Sequence, residues 1–362
     1  MNFIPYGKQT INQDDIDIVV KTLKSDFLTT GLKVNEFEQN IYKKTNSRYC
    51  VSVSNGTAAL HLSALALLNK GDKVLTTPNS FLATSNSILY AEAIPIFIDI
   101  CNDGSIDLDL CEDYLKKDST IKAIFAVSFS GKILDRDKLK YLKYKYNIKI
   151  LEDNAHTMGV ELTYSDISIF SFHPVKHITT AEGGAIVTND QNLYEKIKSL
   201  RNHGQDDKHN MRLLGFNYRL SDINCALGIS QLCKLDYFIK RRQEIAKIYN
   251  DTFNNHPIIK PLYPYTNNSY YHLFVVLIDF SKLTLSKEQL INQLREKNIG
   301  VQVHYKPINK QAYYRSLGYG EEYTPNMDKY ISQCISLPIY PLLDKTEQEY
   351  ITKILNNLLQ LK

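Results

Sequence analysis

Seven short apolar runs punctuate the chain between about residues 48 and 190, at residues 49–54, 73–77, 94–100, 123–128, 148–153, 167–172 and 184–189. Most are apolar throughout rather than alternating, the pattern of strands covered on both faces. The segments between them, such as 57–68 and 81–91, carry apolar residues at helical spacing. This alternation predicts an α/β sandwich around a mostly parallel sheet. Two more helices are predicted before the first strand, at 14–24 and 33–45, the second with Val34, Phe37 and Ile41 on one face.

After Asn217 a helical pattern runs to about Phe253, and the proline-containing segment 257–264 breaks it. The remainder predicts a smaller α+β unit: a strand at 270–278, a helix at 286–298, a strand at 300–305 and a last helix from about Thr346. A chain of 362 residues suits about two domains. The expected division is a large domain over 1–245 and a small C-terminal domain over 246–362.

Basic and acidic residues nearly balance, 43 against 39. The balance argues against a nucleic-acid partner and leaves room for a local cationic pocket. The basic stretch 138–149 is interleaved with Leu and Tyr at helical spacing, so it reads as a solvated helix face. Six cysteines without a C-x-x-C pair read as buried thiols of a reducing compartment. Neither a signal-peptide pattern nor a run near the ~20 apolar residues of a membrane span is present. The expected location is cytoplasmic, with no membrane partner.

Ligands of open α/β sheets bind at the carboxyl ends of strands, and two such ends are chemically loaded. Ser54-Asn-Gly-Thr-Ala-Ala-Leu60 follows a strand and opens a helix. Gly56 lets the backbone approach a ligand, Thr57 adds a hydroxyl, and the helix start offers N–H groups to an anion. An ordinary helix cap is the other reading of this run. Neither a dinucleotide fingerprint nor a P-loop pattern occurs. Ile150-Leu-Glu-Asp-Asn-Ala-His156 ends a buried strand on Asp153, a carboxylate that needs a partner there. A protonated pyridine nitrogen would serve, with His156 beside the ring's phenolic oxygen; a turn cap is the alternative. No third ligand stands at a recognisable spacing, so no metal site is expected.

Lys176 lies 23 residues beyond Asp153, in Phe170-Ser-Phe-His-Pro-Val-Lys-His-Ile-Thr-Thr-Ala-Glu-Gly-Gly184. An amine attacks an aldehyde only when deprotonated, so this lysine needs a partly dry pocket to lower its pKa from ~10.4. A phosphate-binding helix start, a strand-end aspartate and a lysine are the three groups that pyridoxal 5'-phosphate requires for its phosphate, ring nitrogen and aldehyde.

Together with Asn79-Ser-Phe-Leu-Ala-Thr-Ser-Asn86 and Gly215-Phe-Asn-Tyr-Arg-Leu-Ser-Asp222, these runs resemble the DegT/DnrJ/EryC1/StrS family of nucleotide-sugar aminotransferases over nearly the whole chain. The resemblance implies the fold type I architecture of PLP-dependent transferases, similar to aspartate aminotransferase. Leu28-Thr-Thr-Gly31, Asn102-Asp-Gly-Ser-Ile-Asp107 and Gly300-Val-Gln-Val-His-Tyr-Lys-Pro307 look most like the pseudaminic-acid branch of the family. That branch implies amino transfer from L-glutamate to C4 of a UDP-linked 4-keto-6-deoxy-N-acetylhexosamine. Another nucleotide-linked 3- or 4-keto-sugar stays open as the acceptor.

By resemblance, Lys176 bonds covalently to the cofactor aldehyde, Asp153 pairs with the ring nitrogen and His156 lies beside the ring oxygen. Phe81 stacks on one ring face and Ala155 packs against the other. Gly56, Thr57 and Ser171 bind the phosphate, joined by Asn217 from the neighbouring subunit of a homodimer. Tyr6, Asp26, Phe27, Leu28 and Thr29, with Gln302, Val303, His304 and Tyr305, are implied as sugar-nucleotide contacts. Two departures from the family pattern stand out. Only Val-Glu-Leu-Thr-Tyr-Ser separates Gly159 from Asp166, where the family carries a longer hairpin, and Asn154 replaces a small residue. Sugar dehydratases of this fold carry histidine in place of the lysine, and Lys176 argues against that reading. Lys176, Asp153 and His156 together argue against a binding module without catalysis.

Overall fold

The computed structural model describes residues 2–206 and 210–359. Its larger sheet has seven strands: β1 (Tyr49–Val53), β2 (Lys73–Thr76), β3 (Ile94–Phe97), β4 (Ile121–Val127), β5 (Lys149–Asp153), β6 (Ile167–Ser171) and β7 (Gly184–Thr188). The order in space is β1-β7-β6-β5-β4-β2-β3, and only β7 runs against the other six. Six carboxyl ends therefore open on one edge.

The two-residue period of a strand decides which side chains reach that edge on which face. Leu151, Ile167 and Ile169 pack in one core cluster with the helix Gly56–Leu67, and Asp153 and Ser171 continue the same face. Ile124, Ala126 and Ile150 fill a cluster on the opposite face. Leu151, Ile167 and Ile169 are fully buried. Each such side chain stabilises the fold by roughly 1.5–3 kcal/mol. Their burial holds the register that delivers Asp153, because a slip of one residue would turn Glu152 to this face instead.

The helices Gln13–Leu23 and Leu32–Lys44 pack on Asp222–Leu232, with Val34, Phe37 and Ile41 buried as their spacing predicted. The continuous helix expected after Asn217 is two helices, Asp222–Leu232 and Leu235–Phe253, preceded by an extended segment. The break follows Gln231, whose buried side chain donates to the Thr10 carbonyl and to Asp15. Leu235 and Phe238 then turn into the core.

A second, antiparallel sheet has the order β10-β9-β8, from β8 (Ile259–Pro261), β9 (Phe274–Ile278) and β10 (Cys334–Leu337). Pro261 is tolerated because β8 is an edge strand. Around this sheet Tyr249, Phe253, Phe274, Val276, Leu290 and Ile351 share one core. The expected boundary after residue 245 falls inside the helix Leu235–Phe253, which reaches into that core. The last helix, Lys345–Leu358, starts at a reciprocal cap between Asp344 and Glu347. The strand expected at 300–305 does not form. Gln302 alone exchanges backbone hydrogen bonds with Ser336, and Val303, His304 and Tyr305 turn toward a cavity instead. Among the described residues no helix is long and apolar enough to cross a membrane.

Candidate active site

A cavity of about 820 Å³ opens at the carboxyl edge of the larger sheet. Its floor is made by strand ends and one helix start, and its far wall by residues 302–306 and Tyr6.

The helix start forms one pole. Asn55 caps the helix Gly56–Leu67 by accepting the Ala58 N–H at 2.8 Å. Among the described residues the N–H groups of Gly56 and Thr57 have no protein acceptor, so the ordinary cap leaves room for an anion. Ser171 stands directly opposite. A Cβ built on Gly56 would lie 2.9 Å from the Ser171 Cβ and 3.1 Å from its Oγ, so only glycine allows this approach.

Asp153 forms the second pole. It is buried, accepts the Thr84 hydroxyl at 2.7 Å and the Ala155 N–H at 3.1 Å, and has no ion-pair partner among the described residues. Burial pushes its carboxyl above the usual range, against the pull of these donors and of Lys176. A buried acceptor with two donors and no salt bridge matches a cationic heterocycle.

Lys176 lines the same cavity and is partly buried in its wall. Surrounding protein pushes its amine down to about 8, opposed by Asp153 and assisted by the like charge of Arg242. The site keeps an open face to water, so the shift is that of an enclosed but not sealed group.

His156 is buried beside Asp153. Its Nδ1 accepts the Ser130 N–H at 3.2 Å, which places the proton of the neutral ring on Nε2, 3.4 Å from the Tyr305 hydroxyl. Burial first, then the charge on Lys176, hold its pKa well below the usual imidazole value. His304 and His177 are each pushed down to about 3, chiefly by burial. Tyr305 is pinned by Asn79, which accepts its backbone N–H at 3.3 Å and donates to the Gly104 carbonyl at 3.0 Å. Phe81 is mostly exposed, 6.4 Å from the Tyr305 ring, with a face free for stacking. Ala155 lies across the floor.

The cavity thus collects Lys176, Asp153, His156, Ala155, Gly56, Thr57, Ser171 and Phe81, together with Tyr6, Gln302, Val303, His304 and Tyr305. It does not collect Asp26, Phe27, Leu28, Thr29 or Asn217. The first four lie on an exposed segment tied to Ser221 and Asp222, and Asn217 is exposed beside Asn202. Sequence reasoning assigned no role to Thr84, Ser130, Asn79, Arg242 or His272. Thr84 and Asn79 lie within a quoted motif, and that was their one signal. Asn154 points away from the cavity: its amide donates to Ser168 at 2.7 Å and accepts from Ser128 and Thr157. The short segment after Gly159 is folded inward, with Val160, Leu162 and Tyr164 buried.

The residues present fit pyridoxal phosphate: an anion cradle that a Cβ would fill, a buried carboxylate without a cation, and an amine with a lowered pKa. The pattern of the DegT/DnrJ/EryC1/StrS aminotransferase family matches residues 9–356. The chain is 41% identical over 369 residues to the "UDP-4-amino-4,6-dideoxy-N-acetyl-beta-L-altrosamine transaminase" of Campylobacter jejuni, covering 99% of this chain and 98% of that protein. Among solved structures it is similar to Helicobacter pylori PseC, an aminotransferase involved in the biosynthesis of pseudoaminic acid, with a TM-score of 0.93, 31% identity and 99% of each chain covered. It is also similar to ntda from Bacillus subtilis, solved with bound cofactor PMP, with a TM-score of 0.87 and 25% identity over 96% of this chain and 83% of that one.

Proposed function

The chain belongs to the DegT/DnrJ/EryC1/StrS aminotransferase family, and we propose that it moves the amino group of L-glutamate to C4 of UDP-2-acetamido-2,6-dideoxy-β-L-arabino-hexos-4-ulose. The products are 2-oxoglutarate and UDP-4-amino-4,6-dideoxy-N-acetyl-β-L-altrosamine. It is a PLP-dependent enzyme of the fold type I architecture. The observation that carries the residue assignment is the buried Asp153, which has no ion-pair partner among the described residues and lines one cavity with Lys176.

When bound, the cofactor supplies an aldehyde carbon to carry the amino group and a cationic ring to take up electrons from the amino acid's α-carbon. Asp153 keeps the ring nitrogen protonated, held in place by Thr84 and the Ala155 N–H. Gly56, Thr57 and Ser171 bind the phosphate. His156 offers Nε2–H to the phenolic oxygen, and Phe81 and Ala155 enclose the ring plane. The Lys176 amine takes a proton from the amino acid's α-carbon and returns it at the aldehyde carbon. A base with a pKa of about 8 is suited to both transfers near neutral pH. Tyr6 and residues 302–305 face the sugar nucleotide.

The active form in this proposal is a homodimer. Asn217 and Asp26 to Thr29 lie outside their own cavity, on exposed backbone, where a second copy is the site they can reach. Phe27, Leu28, Leu32 and Leu214 are exposed apolar side chains suited to such a contact. A cytoplasmic reaction fits six unpaired cysteines.

Two experiments test the proposal. Lys176→Ala should abolish turnover and the visible absorbance of the covalently held cofactor; normal turnover would overturn the assignment. Mass spectrometry and NMR at C4 of the product from glutamate and the 4-keto UDP-sugar should show the amine at that carbon. Faster amination of a TDP- or GDP-linked keto-sugar would overturn the choice of acceptor.

A further inference from the structure

His156 is held from two directions by one clamp. The turn Phe129–Gly131 presents the Ser130 N–H to His156 Nδ1 at 3.2 Å. Ser130 adopts left-handed backbone, φ 62°, a conformation that costs a side-chain-bearing residue energy unless neighbours impose it. The neighbours are residues 270–273, just before β9. The Tyr270 N–H donates to the Gly131 carbonyl at 2.8 Å, the Leu273 N–H to the Ser130 carbonyl at 3.2 Å, and the Ser130 hydroxyl to the Leu273 carbonyl at 2.9 Å. The two backbones meet so closely that a Cβ on Gly131 would lie 2.6 Å from the Tyr271 nitrogen and 2.8 Å from that of His272.

From the middle of this segment the His272 ring lies against His156, with centroids 4.2 Å apart and planes 36° from parallel. His272 is buried, and its Nδ1 has no hydrogen-bond partner among the described residues. A buried polar atom without a hydrogen bond costs free energy. The ring packs against His156 and, 5.7 Å away, His177. His177 is itself fixed by a 2.9 Å contact from Nε2 to the Tyr270 carbonyl.

We infer that His272 is a positioning residue, whose ring sets the plane of His156 while the Ser130 N–H sets its tautomer, so that Nε2–H is aimed into the cofactor cavity. Without the ring behind it, His156 can rotate about its side-chain bonds and lose the line from Nε2 to the phenolic oxygen. The inference rests on the reading of His156 as the partner of that oxygen. The ring pair also adds to the hydrogen bonds that tie the segment before β9 to the turn Phe129–Gly131.

The test is a double-mutant cycle of His156→Ala and His272→Ala, with His272→Phe as the variant that keeps a ring. Three readouts are taken on the cofactor-loaded enzyme: kcat and KM for glutamate, the visible absorbance of the cofactor against pH, and the tautomer of His156 by NMR of ¹⁵N-labelled histidine. His272→Ala should lower kcat by about ten- to a hundredfold with KM nearly constant, the size of a small misplacement of one catalytic group. It should also shift the pH midpoint of the absorbance change and blur the Nε2–H signature of His156. His272→Phe should keep all three close to the parent. On the His156→Ala background, His272→Ala should add less than about twofold, because the two act as one unit. Parental behaviour of His272→Ala, a His272→Phe variant as impaired as His272→Ala, or multiplying effects in the double variant would each overturn the inference alone. A His156→Ala enzyme with parental spectrum and rate would overturn both the inference and the reading of His156 beneath it.

Discussion

Thr84→Val deletes one hydroxyl and keeps the side chain's volume, so it tests the support of Asp153 without opening a void. Thr84 Oγ1 donates to Asp153 Oδ2 at 2.7 Å and stands 2.8 Å from Ser80 Oγ. A hydroxyl has one proton to give. With Asp153 ionised, Thr84 must spend it on the carboxylate, and Ser80 donates to Thr84 in turn. A hydrogen bond to a charged group contributes about 1.5–3 kcal/mol. Its loss disfavours the carboxylate by that amount, about 1–2 pKa units. The direction adds to burial, which already pushes Asp153 up. In the loaded enzyme the same energy is withdrawn from the carboxylate and ring-nitrogen ion pair, and the proton shifts toward the carboxyl group.

The expected result is a fall in kcat of about 10- to 150-fold, with KM for glutamate changed far less. Initial rates across a pH series would measure it, with the cofactor's absorbance followed in parallel. A thermal melt accompanies the kinetics, because the variant also strips the Ser80 hydroxyl of its acceptor. A folded enzyme with kcat within about twofold of the parent and an unshifted pH profile would refute the reasoning, since Asp153 would then not depend on its donors for its charge.

Gly56→Ala should raise the dissociation constant for pyridoxal phosphate by about tenfold or more, because the new methyl meets Ser171 at 2.9 Å inside the phosphate cradle; fluorescence titration of the cofactor-free protein measures it, and parental affinity would contradict the cradle. Lys176→Met should stabilise the cofactor-free protein at neutral pH. The native amine loses its proton near 8 and the unfolded one near ~10.4, so between these values the unfolded state binds more protons and the parent gains stability as pH rises. The advantage of Lys176→Met is therefore full below about 8 and shrinks toward ~10.4; denaturant titrations at both ends check the sign, and a pH-independent difference would contradict it.

The strand ends were legible because parallel strands are apolar runs that stop where the sheet meets the cavity. Asp153, Ser171 and the start of the helix Gly56–Leu67 each sit at such a stop, and a local pattern sufficed to find them. The supports of those residues were not legible, because they come from far along the chain. Thr84 and Asp153 are 69 positions apart, and Ser130 and His156 are 26 apart. Only the packed sheet brings them together. Residues 300–305 misled for a related reason. Val301, Val303 and Tyr305 alternate with polar residues as in a strand, but past Gln302 the chain turns into the cavity instead of pairing, and an alternating pattern does not distinguish the two.

Arg241 and Arg242 show the same limit at its sharpest. They stand side by side on a charged helix. Successive helix positions differ by about 100°, and that angle separates their fates. Arg241 is half-buried, pairs with Glu244 and reaches the carbonyls of Pro341 and Leu343. Arg242 is fully buried, has no carboxylate partner among the described residues, and donates to the carbonyls of Tyr271, His272 and Ile339. Its guanidinium therefore fastens the long helix to the segment that carries His272, and its charge lowers the pKa of Lys176. One buried arginine thus joins the packing around the smaller sheet to the electrostatics of the cavity at the larger sheet. No residue near it in sequence announces that link, because all three of its acceptors are main-chain oxygens, which every residue possesses.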